Sequence, residues 1–115
     1  MNAELEDLIK SIESNLAQIQ SKFNDYQNNH FTKRAPEFFC LELNGEAGEL
    51  ANIEKKQWKG REVNPNQFAD ESADVFIALI NYANSRNINL EQAVIDKLKK
   101  IEQIRLERKA ESKDY

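Results

Sequence analysis

The chain has 115 residues, 40% of them apolar and 31% charged, with a formal net charge of −4. That length suits one domain with a real core, and the acidic balance argues against a general nucleic-acid binder. A single cysteine, Cys40, leaves no intramolecular disulfide to form and fits a reducing, cytoplasmic setting. No apolar run approaches the roughly 20 residues that span a bilayer. The N-terminus alternates acidic and apolar residues and reads as neither a signal nor a transit peptide. Two prolines and three glycines leave long uninterrupted segments, so the expected class is all-α.

The first predicted helix covers about Ala3 to Tyr26, in an N-terminal segment that reaches residue 30. Leu5, Leu8, Ile12, Leu16, Ile19, Phe23 and Tyr26 recur at steps of three and four, an amphipathic stripe that must pack on something. Asn28 to Thr32 breaks the pattern. A second helix starts at Pro36, a residue suited to the first helical position, and runs to about Trp58, with Gly60 as its stop. Leu43, Ala47, Leu50 and Ala51 are expected to form its apolar side, beside a stripe of Glu42, Glu46, Glu49 and Ile53. Gly45 and Gly48 each cost about 1 kcal/mol of helix propensity relative to Ala, a cost that implies close approach of another helix or a ligand.

The third helix is expected from an Asn64 N-cap with Pro65 at its first position, running to about Arg86. Its Val75–Ile80 run is apolar all round and predicts burial on several sides. A fourth helix follows Asn89 as N-cap, with Gln92 three residues on in the manner of a capping box. Leu90, Val94, Leu98 and Ile101 make its inner stripe. Lys97, Lys99, Lys100, Arg105, Arg108 and Lys109 make it basic. Together these give one domain over residues 1–115, an all-α four-helix bundle with a helical core over 36–110 and a frayed tail over 111–115.

The chemistry concentrates in two acidic pairs, Glu46 with Glu49 and Glu71 with Asp74. Residues three apart share a helical face, and both pairs are set among apolar neighbours, where unpaired carboxylates are costly. If the short connection from Lys59 to Asn64 folds the second and third helices side by side, the four acids form a site for a hard divalent cation such as Mg²⁺. A diiron site needs Glu-x-x-His on two helices, and His30 lies outside both motifs. Lys55, Lys56, Lys59 and Arg61 follow the acids, with Lys97 beside the inner stripe of the fourth helix. They suit the charge that a metal leaves on a polyphosphate, or else a solvated face whose lysines complement a helix dipole. Phe31, Phe38, Phe39 and Trp58 are aromatic surfaces for a nucleobase, or core and subunit-interface residues. Cys40 is expected to be a buried small hydrophobe.

Glu46-Ala47-Gly48-Glu49-Leu50 followed by Glu71-Ser72-Ala73-Asp74-Val75 resembles the ExxE…ExxD signature of the MazG-like, all-α nucleoside triphosphate pyrophosphatases. Asp74-Val75-x-Ile77 and Ile88-Asn89-Leu90-Glu91-Gln92-Ala93, leading into a helix with Lys97, extend the likeness over about Phe38 to Lys100. The resemblance implies hydrolysis of an NTP or dNTP to monophosphate and pyrophosphate, in a house-cleaning role, with Mg²⁺ held by Glu46, Glu49, Glu71 and Asp74. It also implies a bundle completed as a homodimer or homotetramer, with the nucleotide and no nucleic-acid polymer or membrane as partner. Some relatives have a tyrosine where this chain has Ala78 and an asparagine where it has Ile101, while their following arginine is only loosely matched by Arg105. The alternative expectation is a non-catalytic helical interaction module or an inactive relative.

Overall fold

The computed structural model describes residues 1–111; the rest of the tail expected to fray lies outside the described residues. Among the described residues there are four helices and no strand: α1 (Ala3–His30), α2 (Pro36–Trp58), α3 (Asn66–Ser85) and α4 (Leu90–Ala110). None of these helices is long and apolar enough to cross a membrane. The all-α expectation holds, and α2 has the bounds that its sequence suggested. The described chain divides into two compact units, one of residues 1–22 with 88–111, the other of Phe23–Asn87.

In the first unit, Asn2 caps α1 by accepting the Leu5 N–H at 2.7 Å. Its side-chain amide also donates to Glu102 on α4, whose carboxyl is held below the ordinary range by the Arg105 guanidinium beside it. Asn89 caps α4, accepting the Gln92 N–H at 3.1 Å. The reciprocal half of a capping box is not made, because the Gln92 side chain donates instead to Asp96 at 2.8 Å. Gln20, which no periodicity marks, is buried. It donates to the Ile88 carbonyl at 2.6 Å and accepts the Leu90 N–H at 3.1 Å, so it pins the start of α4 to α1. Such bonds satisfy backbone groups that a helix start leaves without partners. The inward line of α1 accordingly runs through Ile9 and Gln20, while Leu8, Ile19 and Tyr26 of the predicted stripe are exposed.

In the second unit, α2 and α3 pack together. Glu37 near the start of α2 meets Arg86 just past α3 at 3.9 Å, while Glu46 and Glu71 meet farther along. Early α2 thus faces late α3, and the pair is antiparallel. Gly60, with a left-handed φ of 82°, ends α2 as its N–H bonds the Gln57 carbonyl at 2.9 Å. Asn64 accepts the Asn66 N–H at 3.0 Å and so begins α3, one residue later than expected. Asn87, with a left-handed φ of 56°, follows the end of α3. The last turns of α1 join this unit through Phe23, edge-on to Phe76 at 6.2 Å, and through Gln27, which accepts from Asn81 at 3.4 Å.

Burial corrects four sequence expectations. The inward face of α2 is Pro36, Phe39, Leu43, Glu46, Leu50 and Ile53, a three–four alternation, whereas Ala47 and Ala51 are exposed. The Val75–Ile80 run is not covered all round: Ala78 and Ile80 are buried, but Phe76, Ile77 and Leu79 stand on the outside. The α2 helix and the last turns of α1, where Phe23 meets one edge of Phe76, cover only part of the α3 circumference and leave the rest of the run open. Nothing approaches Gly45 or Gly48, where an added Cβ meets no atom within 4 Å. Cys40 is exposed, one step along α2 from the inward Phe39.

Candidate metal centre

The α2–α3 seam places the acids. On α2 the inward three–four stripe carries Glu46 between Leu43 and Leu50; on α3 the corresponding positions carry Glu71 and Asp74 below Ala78. Apolar turns on either side lock the two backbones together, so these carboxylates are held by the core and not by flexible loops. Glu46, Glu71 and Asp74 are half-buried, while Glu49, one turn on from Glu46, is exposed.

Two overlapping acid groups result. Glu46, Glu49 and Glu71 bring one carboxylate oxygen each to within 4.8 Å of one another, and so do Asp70, Glu71 and Asp74. Glu71 belongs to both. All four acids singled out in the sequence converge here, and the structure adds Asp70, four residues before Asp74 and so on the same side of α3. Its place next to Glu71 was the available signal.

The electrostatics are those of a site short of positive charge. Glu71 is raised from the usual 4.5 to about 7, first because it shares a hydrogen bond with Glu46, then because it is withdrawn from water and faces Glu49. Glu46 is raised as well: the hydrogen bond from Glu71 favours its charged form, but burial and the neighbouring Asp74 and Glu49 charges outweigh it. The two carboxyls therefore hold a proton between them near neutrality. One oxygen of each, Oε2 of Glu46 and Oε2 of Glu71, is sealed from solvent, and when both carboxyls are ionised neither has a hydrogen-bond donor among the described residues. A buried acceptor without a donor is costly, and a cation is the partner that removes both that cost and the mutual repulsion. An all-carboxylate donor set selects a hard, oxygen-seeking ion. The residues fit a metal.

The remaining predicted residues are less concentrated. Lys55, Lys56 and Lys59 line a pocket of about 240 Å³ with Asn52 and Arg61 at the end of α2. Lys56 stands two turns beyond Glu49 on nearly the same face. Lys97 is exposed on α4 and belongs to the other unit. Trp58 is 85% exposed at the last turn of α2. Phe31, beyond the end of α1, lies exposed and edge-on to Tyr26 at 5.3 Å. The 23 residues of α2 span roughly 33 Å, and the connector from Phe31 to Pro36 reaches back at most about 17 Å. Phe31 and Trp58 of one chain therefore do not close on one base. Phe38 packs edge-on against the buried Phe39 at 5.5 Å, and His30 leans on Tyr26 at 5.5 Å, outside both acid groups.

No protein-family model matches the chain, and no curated protein or solved structure matches it.

Proposed function

We propose that this protein is a Mg²⁺-dependent nucleoside triphosphate pyrophosphohydrolase of the MazG-like kind, releasing monophosphate and pyrophosphate in a cytoplasmic, house-cleaning role. The observation that carries the reading is the convergence of Glu46, Glu49 and Glu71 on one point of the α2–α3 seam, with a buried, partnerless oxygen on two of them. Glu46, Glu49, Glu71 and Asp74, joined by Asp70, would hold the ion, through the two overlapping acid groups that share Glu71. Bound Mg²⁺ supplies charge neutralisation on the phosphates and polarises the phosphorus under attack.

The protein's own groups do the rest. A carboxylate of the cluster orients a water toward the α-phosphorus and takes its proton as the bond to the departing pyrophosphate breaks. Lys55, Lys56 and Lys59, with Arg61, meet phosphate charge at the end of α2. Lys97 is assigned a phosphate contact by the family resemblance alone. Phe31 and Trp58 bracket a base only if they come from two copies of the chain, so the reading includes a homodimer or homotetramer.

A second reading is favoured by the outward Phe76, Ile77 and Leu79 of α3: a helical interaction module with no turnover. Pyrophosphate release from a panel of ribo-, deoxy- and modified nucleoside triphosphates, with and without Mg²⁺, separates the two. Metal-dependent release lost in Glu46→Ala and Asp74→Ala supports the enzyme. A folded protein silent across the panel supports the module.

A further inference from the structure

The side of α3 turned away from α2 is the largest apolar surface that the metal centre leaves unused in the second unit. At about 3.6 residues per turn, Ala69, Ser72, Ala73, Phe76 and Leu79 fall within about one third of the helix circumference. All five are exposed, and so is Ile77 on their flank. Phe76 keeps 49% of its surface exposed, and Ile77 and Leu79 keep 41% each. Glu71, Asp74 and Ala78, which face α2, lie on the other side of the helix.

The strip carries no charge. The acids of α3 are Asp70, Glu71 and Asp74, all gathered at the metal centre, and the helix has no lysine or arginine. Such a strip offers nothing to a polyanion or a charged peptide. Its shape is uneven in a definite way. Ala69, Ser72 and Ala73 make its first half small, and Phe76 and Leu79 make its second half large. Ala69 and Leu79 stand five residues either side of Asp74, and Ser72 and Phe76 stand two. In an antiparallel pair of α3 helices with a two-fold axis level with Asp74, Leu79 of one copy therefore meets Ala69 of the other. Phe76 likewise meets Ser72 and Ala73, and every contact is made twice. Large side chains then fill the room that small ones leave, at the 8–10 Å spacing typical of packed helices.

We propose that this strip is the face through which two copies of the chain pair, α3 against α3, in an antiparallel two-fold contact. The occupant is a second copy because the strip is complementary to itself: its small half fits its own large half. The contact lies on the side of α3 opposite α2, so each copy keeps its own acid seam. Phe76, Ile77 and Leu79 leave roughly 250 Å² of apolar surface per copy. With the small residues and the flanks added, the pair stays near or below the ~1,200 Å² that marks the low end of specific interfaces. The dimer is accordingly reversible, with a dissociation constant in the micromolar range. This names the face of the homo-oligomer in the proposed function, yet it does not rest on pyrophosphatase activity, since pairing needs neither the acids nor a metal.

The test is sedimentation velocity of the full chain in EDTA, from about 1 to about 200 µM. Wild type is expected to pass reversibly from monomer to dimer within that range. Ala73→Arg, which puts a long charged side chain at an exposed position of the small half, is expected to melt no lower than dilute wild type yet pair at least tenfold more weakly. Ala69→Lys and Leu79→Glu are each expected to weaken pairing alone. Mixed in equal amounts, they are expected to form a heterodimer at least tenfold tighter than either homodimer, because the two new charges meet across the axis. Leu41→Ser, at a 73% exposed position on α2, is expected to stay within twofold of wild type. A monomer throughout the range leaves the strip to another protein and overturns the proposal. So does a dimer indifferent to Ala73→Arg, one lost in Leu41→Ser instead, or a mixture that pairs no better than its components.

Discussion

If Mg²⁺ is the ion of the α2–α3 seam, as proposed, it competes with the shared proton of Glu46 and Glu71 for the same oxygens, and metal affinity is tied to pH. With Glu71 raised to about 7, the proton must leave before the carboxylate can serve as a ligand. For a single site of that kind the apparent affinity falls by about tenfold at pH 6 and about a hundredfold at pH 5 relative to its plateau above pH 8. Glu46, raised in the same direction, steepens the fall at the acid end. Calorimetric titration with Mg²⁺ from pH 5.5 to 8, in two buffers of different ionisation enthalpy, reads both the affinity and the proton released. Glu71→Gln keeps the shape and removes the ionisable group. Outer-shell partners of metal ligands alone are worth roughly 10–100-fold in affinity, so losing this shared ligand is expected to cost about a hundredfold at pH 8 and to flatten the pH dependence. Affinity that is level across this range, with no proton released near pH 6, refutes the reasoning.

Four further outcomes follow from the same structure. Without metal, the raised Glu71 means that the folded state holds its proton more tightly than the unfolded chain. That stability is fully present below about pH 4.5 and is lost as pH rises through about 7, so thermal melts in EDTA should fall between pH 5 and 8 and recover with Mg²⁺. Ile80→Ala should cost about 3 kcal/mol in urea unfolding, because Ile80 is 1% exposed and its deletion leaves a cavity; a cost under about 1 kcal/mol would mean that the seam collapses around it. Gly48→Ala should raise stability by about 0.5–1 kcal/mol, since its Cβ meets open space; a loss instead would reveal a second copy pressed against that face. Asn89→Ala should cost about 1 kcal/mol through the lost cap on Gln92, measured by the same unfolding assay.

The helices were legible because their punctuation is chemical. Pro36, Gly60 and Asn89 act in the structure as their side chains and backbone freedom require. The acid seam was legible for a related reason: spacings of three on two helices joined by a short turn leave few other places for those carboxylates. Which residues face inward was harder to read. Hydropathy puts the α2 stripe on Leu43, Ala47, Leu50 and Ala51 because alanine counts as apolar, whereas the packed face passes through Glu46 and Ile53. Hydropathy alone misassigns a face that deliberately includes an acid. Hydropathy does not mark Gln20 or Asn81 as buried, for the same reason. Both are polar residues whose hydrogen-bond partners lie far away in sequence.

The most direct measurement is product identity: chromatography of a deoxynucleoside triphosphate incubated with wild type or Glu71→Gln, each with Mg²⁺ and with EDTA. Monophosphate and pyrophosphate in equal amounts, formed only by wild type with Mg²⁺, are the expected result. Diphosphate and inorganic phosphate, or equal turnover by Glu71→Gln, would contradict a pyrophosphohydrolase built on the α2–α3 acids.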